Sequence, residues 1–331
     1  MTGAPASRTK VAAAFAAIYV FWGGTFLAIR YAVADIPPLL MIALRCAGGA
    51  AILLAWLAWR RQLERTTLRQ WGASAVAGAL LFLGCHGVAA WVEQRVSSGQ
   101  TALLMTAIPL WLVVLNALRE RQLPALRVAT GLGLGLVGVV VLTGNPAAES
   151  GLPIDRLALI VGALSWAAGS LVALHGPRTR SAAQSTAMQL AAGAVVVLAA
   201  SLVAGEPARW SVGELTVRAA ISLAFLVVCG TVLGFGAYTW LLRVASPAAV
   251  GTFAFVNPLV ALALAWAVGD EEFAGRSVVA AALVVGAVLL TRDPARRRTS
   301  TPRGAGFPAR QDRARPAPRL SEVRVVRAGR E

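Results

Sequence analysis

The sequence predicts an all-α polytopic membrane protein, with ten transmembrane helices arranged as two inverted five-helix repeats. Three observations lead there. Hydrophobic residues make up 57% of the 331 and charged residues only 14%, against roughly 45–50% and about 25% in an ordinary soluble domain. Apolar runs long enough to cross a ~30 Å hydrocarbon core recur from position 11 to 291. Residues 11–143 also match residues 155–291 at a nearly constant offset.

Bounded by charges or Pro/Gly clusters, the runs place spans near 11–30, 37–58, 72–92, 100–118, 126–143, 157–175, 185–204, 219–242, 246–268 and 275–291. The first follows Arg8 and Lys10 and precedes Ala32-Val33-Ala34, as a signal peptide would. Its apolar stretch exceeds the usual 7–15 residues, and a similar segment recurs at 157–175, so it is read as a span. Cytoplasmic loops carry the excess of Lys and Arg. Alternate loops hold twelve on one side (Arg8, Lys10, Arg60, Arg61, Arg65, Arg69, Arg119, Arg121, Arg127, Arg178, Arg180, Arg243) and six on the other (Arg30, Arg95, Arg156, Arg209, Arg218, Arg276). Both termini are thereby placed in the cytoplasm, which needs an even number of spans.

The net charge of +16 divides evenly. Residues 292–331 hold 12 Arg against four acids, and the first 291 residues supply the other +8. The 292–331 segment, punctuated by Pro294, Pro302, Pro308, Pro316 and Pro318, is too poor in apolar residues to offset chain entropy, so it reads as a disordered cytoplasmic tail resting on anionic membrane lipid. No nucleic-acid partner is expected. Oligomeric state is not readable from the residues.

In the repeat, Trp22 meets Trp166, Arg45 meets Gln189 and Ala50 meets Ala194 at an offset of 144. Arg95 meets Arg243, Pro109 meets Pro258, Arg127 meets Arg276 and Thr143 meets Thr291 at 148 or 149. Aligned Trp, Pro and Arg are not what membrane composition alone produces. The organisation is then a cytoplasmic segment 1–10, repeat 1 at 11–143, a connecting loop at 144–154, repeat 2 at 155–291 and the tail at 292–331. Five helices is an odd number, so the second copy enters from the opposite side. Inverted halves around a midplane site are the architecture of alternating-access transport.

Trp22-Gly23-Gly24-Thr25-Phe26, then Pro37-Pro38 and Ala43-Leu44-Arg45, resembles the opening of EamA-domain transporters of the drug/metabolite transporter superfamily. Ile108-Pro109-Leu110-Trp111 with Arg119-Glu120-Arg121 resembles the fourth helix of that domain. Val256-Asn257-Pro258-Leu259 with Gly269 to Glu272 resembles its second copy. The resemblance implies a multi-pass protein of the cell (plasma or inner) membrane that exports or exchanges small organic solutes, amino-acid-like or drug-like, through a central cavity. It leaves the substrate and coupling ion open, and uptake by the same fold remains an alternative, as does a membrane scaffold or sensor using the tail.

The polar residues within the spans are the candidate site. A cation near a helix centre costs roughly 2.5–3.5 kcal/mol even on the lenient insertion scale, so Arg45 must face protein or water. It reads in two ways: a fixed charge for a carboxylate, or a structural residue bonded to helix-end carbonyls. His86 and Glu93 lie seven residues apart, two helical turns, on one face, and are the proton-coupling candidates. Pro109 and Pro258, expected mid-helix, each remove a backbone donor and predict paired kinks for gating. Thr25, Gln94, Thr101, Trp111, Ser170, Gln189, Tyr238, Thr252 and Asn257 complete the cavity candidates, with Trp22 and Trp166 placed to stack on a flat solute.

Gly133 to Gly138 spells the dinucleotide fingerprint, but inside an apolar run with no preceding strand it cannot expose backbone donors. Gly131 with Gly135 instead reads as a small-residue packing face. Cys46, Cys85 and Cys229 sit in apolar runs as packing residues. No cofactor, no metal and no catalytic set is expected, and an enzyme is not.

Overall fold

The structure is a computed structural model; it describes residues 7–92, 95, 101, 104–143, 153–268 and 275–291. Residues 1–293 form one compact unit. The expected tail at 292–331, most of the loop at 144–154, and Glu93, Gln94 and Gly269 to Glu272 lie outside the described residues.

The secondary structure of the described residues is helical, without a strand. Six helices are long and apolar enough to cross a membrane: α1 (Arg8–Ala32), α2 (Pro38–Trp59), α3 (Leu68–Val92), α6 (Pro153–His175), α7 (Ala182–Val203) and α8 (Val217–Val244). Between and after them lie α4 (Ala107–Glu120), α5 (Leu126–Thr143), a short α9 (Pro247–Gly251), α10 (Phe253–Val268) and α11 (Gly275–Thr291). The fourth, fifth, ninth and tenth expected spans thus fall on shorter helices.

Local chemistry sets the helix ends. Pro38 opens α2 at a position where its missing N–H is no loss. Thr67 and Gln70 form a reciprocal capping box at the start of α3. Ser181, Thr216 and Ser246 accept from the backbone at the starts of α7, α8 and α9. The first free N–H groups of α2 are met from a distance: Glu206 accepts from the backbone of Leu39 and Leu40 and from the hydroxyl of Ser201. Asp35, in the turn after α1, accepts the hydroxyl and then the backbone N–H of Thr216, which holds its carboxyl below the usual carboxylate range.

At the C-terminus of α2 the backbone N–H of Gln62 reaches Leu57 O with Arg61 left-handed (φ 51°). At the C-terminus of α7 the N–H of Glu206 reaches Ser201 O with Gly205 left-handed (φ 68°). These two ends stand 144 residues apart, the offset of the sequence matches. A side chain in this conformation costs roughly 1–2 kcal/mol that glycine avoids. Arg61→Gly should therefore raise stability by about 0.5–1 kcal/mol, read as a later unfolding midpoint in detergent; a lower midpoint would refute it.

Packing follows the same exchange of halves. α2 packs on α7, and α5 on α11. α1 lies against α10 and α8, as α6 lies against α4 and α3. The glycines expected to form a packing face do so: a Cβ on Gly131 or Gly138 would press on α11, and one on Gly135 would sit 2.6 Å from the Phe255 ring of α10. Outward faces remain apolar, with Val20, Ile52, Val195, Ile221 and Val285 exposed, as lipid contact requires.

Two stretches depart from α-helical spacing, Ala79–Gly87 within α3 and Leu226–Phe235 within α8, both π-helical. They too correspond at the repeat offset. Such stretches are rare and concentrate at functional sites. Both face the interior, and their carbonyls accept side-chain bonds. Leu80 O accepts from Ser165 Oγ at 2.8 Å and Gly230 O from Trp22 Nε1 at 2.8 Å.

Candidate functional site

A cavity of about 130 Å³ lies inside the helix packing. That is near the size of an engineered apolar cavity that admits a benzene ring. Its walls come from both repeats: Trp22, Thr25 and Ile29 of α1, Met41, Ile42 and Arg45 of α2, Cys85, His86, Ala89 and Ala90 of α3, then Thr101, Met105 and Ile108. Trp166 of α6 and Phe253 and Asn257 of α10 complete them. The walls run toward the C-terminal ends of α1 and α3 and the N-terminal end of α2. These ends meet the loops with fewer basic residues.

Aromatic rings form the opposite side. Trp22 stands edge-on to Phe253 (centroids 4.7 Å apart, planes at 79°) and to Trp166 (5.7 Å, 82°). His86 stands edge-on to Trp166 at 5.1 Å and stacks on Phe82 at 5.8 Å. These are the orientations the ring quadrupole favours. His86 Nδ1 lies 3.1 Å from Leu81 O, a carbonyl of the first π-helical stretch. A carbonyl only accepts, so Nδ1 carries the proton.

Ser170 and Tyr238 lie behind Trp166 rather than in the wall. Trp166 Nε1 donates to Tyr238 Oη at 3.0 Å. Ser170 Oγ donates its single proton to Trp166 O at 2.7 Å, so in the 2.5 Å contact of Ser170 with Tyr238 the phenol is the donor. The three bonds close a ring that begins and ends on Trp166. Deeper on the same side, Thr186 and Thr239 bond to each other at 2.6 Å.

Arg45 is 5% exposed. Its Nε donates to Thr231 Oγ1 at 2.7 Å, and Thr231 passes its own proton to Leu226 O at 2.8 Å, inside the second π-helical stretch. Asn257 Oδ1 and Thr101 Oγ1 are buried in the wall with no hydrogen-bond partner among the described residues.

Of the residues expected from the sequence, Trp22, Thr25, Arg45, His86, Thr101, Trp166 and Asn257 come together on the cavity. Thr252 is taken up by Tyr19 and Ala249 O, and Trp111 packs half-buried against the core. Gln189 is buried but off the wall. Glu93 and Gln94 lie outside the described residues, so the His86–Glu93 pairing has no geometry to report.

The two prolines sit differently in their helices. Pro109 is the third residue of α4, just after a one-residue break at Thr106 that separates α4 from helical Leu104 and Met105. Pro258 does lie inside α10. The helical breaks precede them, at Thr106 and Thr252. Thr106 lies within the turn that Pro109 leaves unbonded, whereas Thr252 lies six residues before Pro258, beyond that reach. Thr231 and Phe253 were not foreseen. Nothing links Thr231 to Arg45 across 186 positions of sequence, whereas Phe253 adjoins the expected Thr252.

The EamA-like transporter family matches this chain twice, at residues 9–144 and 156–292. The "Uncharacterized inner membrane transporter YedA" of Escherichia coli (strain K12) is 31% identical over 286 residues, 83% of this chain and 88% of that protein. The "Uncharacterized transporter YoaV" of Bacillus subtilis (strain 168) is 26% identical, covering 83% and 94%. The "Probable amino-acid metabolite efflux pump" of Salmonella typhimurium is 25% identical, covering 81% and 90%. A solved crystal structure shares the fold at a TM-score of 0.72 and 21% identity, over 88% of this chain and all of that one. Two family matches that together span the helical region, in a chain built of apolar helices, make this a polytopic membrane protein and a transporter rather than an enzyme: the chain belongs to the EamA-like transporter family.

Proposed function

We propose that this protein is a secondary active transporter of the cell membrane that exports small organic metabolites, amino-acid-like or drug-like, by alternating access. The observation that carries the reading is the cavity, walled by both repeats and enclosed by helices that exchange partners between halves. Such pairing supports two five-helix copies of opposite orientation, and the reading takes ten spans with both termini cytoplasmic. In that orientation the cavity lies toward the external side. The ring on Trp166 and the Thr186–Thr239 bond fill the cytoplasmic half. The kinship with a protein named as an efflux pump supports export over uptake.

Proton coupling belongs to the same proposal. His86 sits on the cavity with one ring nitrogen bonded to Leu81 O, leaving the other to exchange a proton with the solute or with Glu93. The Arg-rich residues 292–331 are assigned to anionic lipid.

Purified protein reconstituted in vesicles with a pooled metabolite panel, read by mass spectrometry with and without a pH gradient, tests this. Accumulation of a small organic solute above protein-free vesicles is expected, and its enhancement by the gradient should weaken in His86→Ala. No solute moving above that background would overturn the transport reading. A gradient dependence unchanged in His86→Ala would remove the histidine.

A further inference from the structure

We infer that the cavity selects organic anions: a carboxylate on the solute pairs with Arg45, and a hydrogen-bond donor on the same solute meets Asn257. The inference rests on the transport reading above and deepens it.

Arg45 is a charge buried in the interior of a spanning helix, a placement that persists only when the charge is compensated. One of its five N–H donors is spent on Thr231, and that bond fixes the direction of the planar head, since Thr231 is itself tied to Leu226 O. Among the described residues it makes no other hydrogen bond, and none places a carboxylate in ion-pair contact with it. The corresponding residue in the other repeat, Gln189, is neutral. Among the described residues the wall offers no counter-charge: Thr25, Met41, Ile42, Ile108 and Phe253 are uncharged, and His86 is neutral or positive.

With no partner for the charge among the described residues, the compensating anion is assigned to the solute. A guanidinium meets a carboxylate through two parallel N–H···O bonds, and low surrounding polarity strengthens the pair. A cationic solute would face the same fixed charge as repulsion. Asn257 Oδ1 adds a second requirement. It is a buried acceptor with no donor among the described residues, a state that costs stability until an O–H or N–H reaches it. Thr101 Oγ1, equally without a partner among the described residues, lines the same space. The solute so described is a carboxylate with a neighbouring hydroxyl or amino donor and an apolar body the size of one ring.

The test is ligand binding to the purified full-length protein, read by quenching of tryptophan emission and by thermal stabilisation. The probes are mandelate, 3-phenyllactate and 2-hydroxyisocaproate, each with its neutral amide and the corresponding amine, and phenylacetate as the acid lacking a hydroxyl. At least one acid should bind about tenfold more tightly than its amide, with the amine weakest. Arg45→Gln should erase the difference, and Arg45→Lys should keep its sign. Asn257→Leu should bring mandelate down to the affinity of phenylacetate. Thr231→Val, which frees the guanidinium, should weaken the acids severalfold and leave the amides unchanged.

Amides or amines binding as tightly as acids would overturn the inference, as would no acid binding at all. The wild-type comparison decides this even where Arg45→Gln does not fold. Acid preference that appears only in Glu93→Gln would show Arg45 paired within the protein and would also overturn it. Acid binding without flux in the vesicle assay would instead count against the transport reading.

Discussion

Trp166→Ala is expected to abolish solute flux and to lower the unfolding free energy by about 3–5 kcal/mol. Trp166 is 3% exposed and touches the rings of Trp22, His86, Phe235, Tyr238 and Phe253. Inside a bilayer the gain from packing is dispersion rather than release of water. A void the size of an indole loses those contacts outright. The substitution also strips Tyr238 of the donor at its oxygen. Trp166→Phe keeps most of the volume and loses only that bond, so its cost should fall to about 1 kcal/mol. Unfolding in detergent and flux in vesicles separate the two contributions. Wild-type stability in Trp166→Ala would mean that the ring cluster does not hold the cavity together.

Gly78→Val should be the most damaging of the glycine changes, at about 3 kcal/mol or more. A Cβ on Gly78 would lie 2.6 Å from Gln189 O and 2.8 Å from Gly193 N. Both are main-chain atoms of α7, so no rotamer relieves the clash. The α3 and α7 axes must separate, and the first π-helical stretch, which follows Gly78 directly, moves with them. Gly72, on the same helix, has nothing within 4 Å of its Cβ position and provides the control. Gly72→Ala should be neutral or stabilise by up to about 1 kcal/mol through helix propensity alone. Equal losses at the two positions would refute the close approach.

Much of the architecture was legible because lipid imposes coarse rules. Composition and run length placed helices where the structure has them, and Trp22 with Trp166 exposed the repeat because few residues other than Ala, Val and Leu recur by chance in such runs. Arg45 stood out because a buried charge has no cheap explanation. The π-helical stretches were not legible. ALLFLGCHG and LVVCGTVLGF look like any apolar run, and a change of hydrogen-bond spacing from four residues to five has no side-chain signature. Partners distant in sequence were hidden for a different reason. Thr231 beneath Arg45 and Glu206 at the start of α2 are ordinary residues whose roles exist only after the helices have packed.

The ring of bonds on Trp166 leaves none of its protons free. Conducting a proton through a protein takes a chain with an open end, where one group waits to receive and another is free to release. In this ring the indole N–H is held by Tyr238, the phenol proton by Ser170, and the serine proton by the carbonyl of Trp166 itself. Every proton is committed, and the last bond returns to the residue that made the first. A closed circuit of this kind leaves Trp166, Tyr238 and Ser170 with no unassigned proton among them, so the three side chains hold one another's orientation behind the cavity wall.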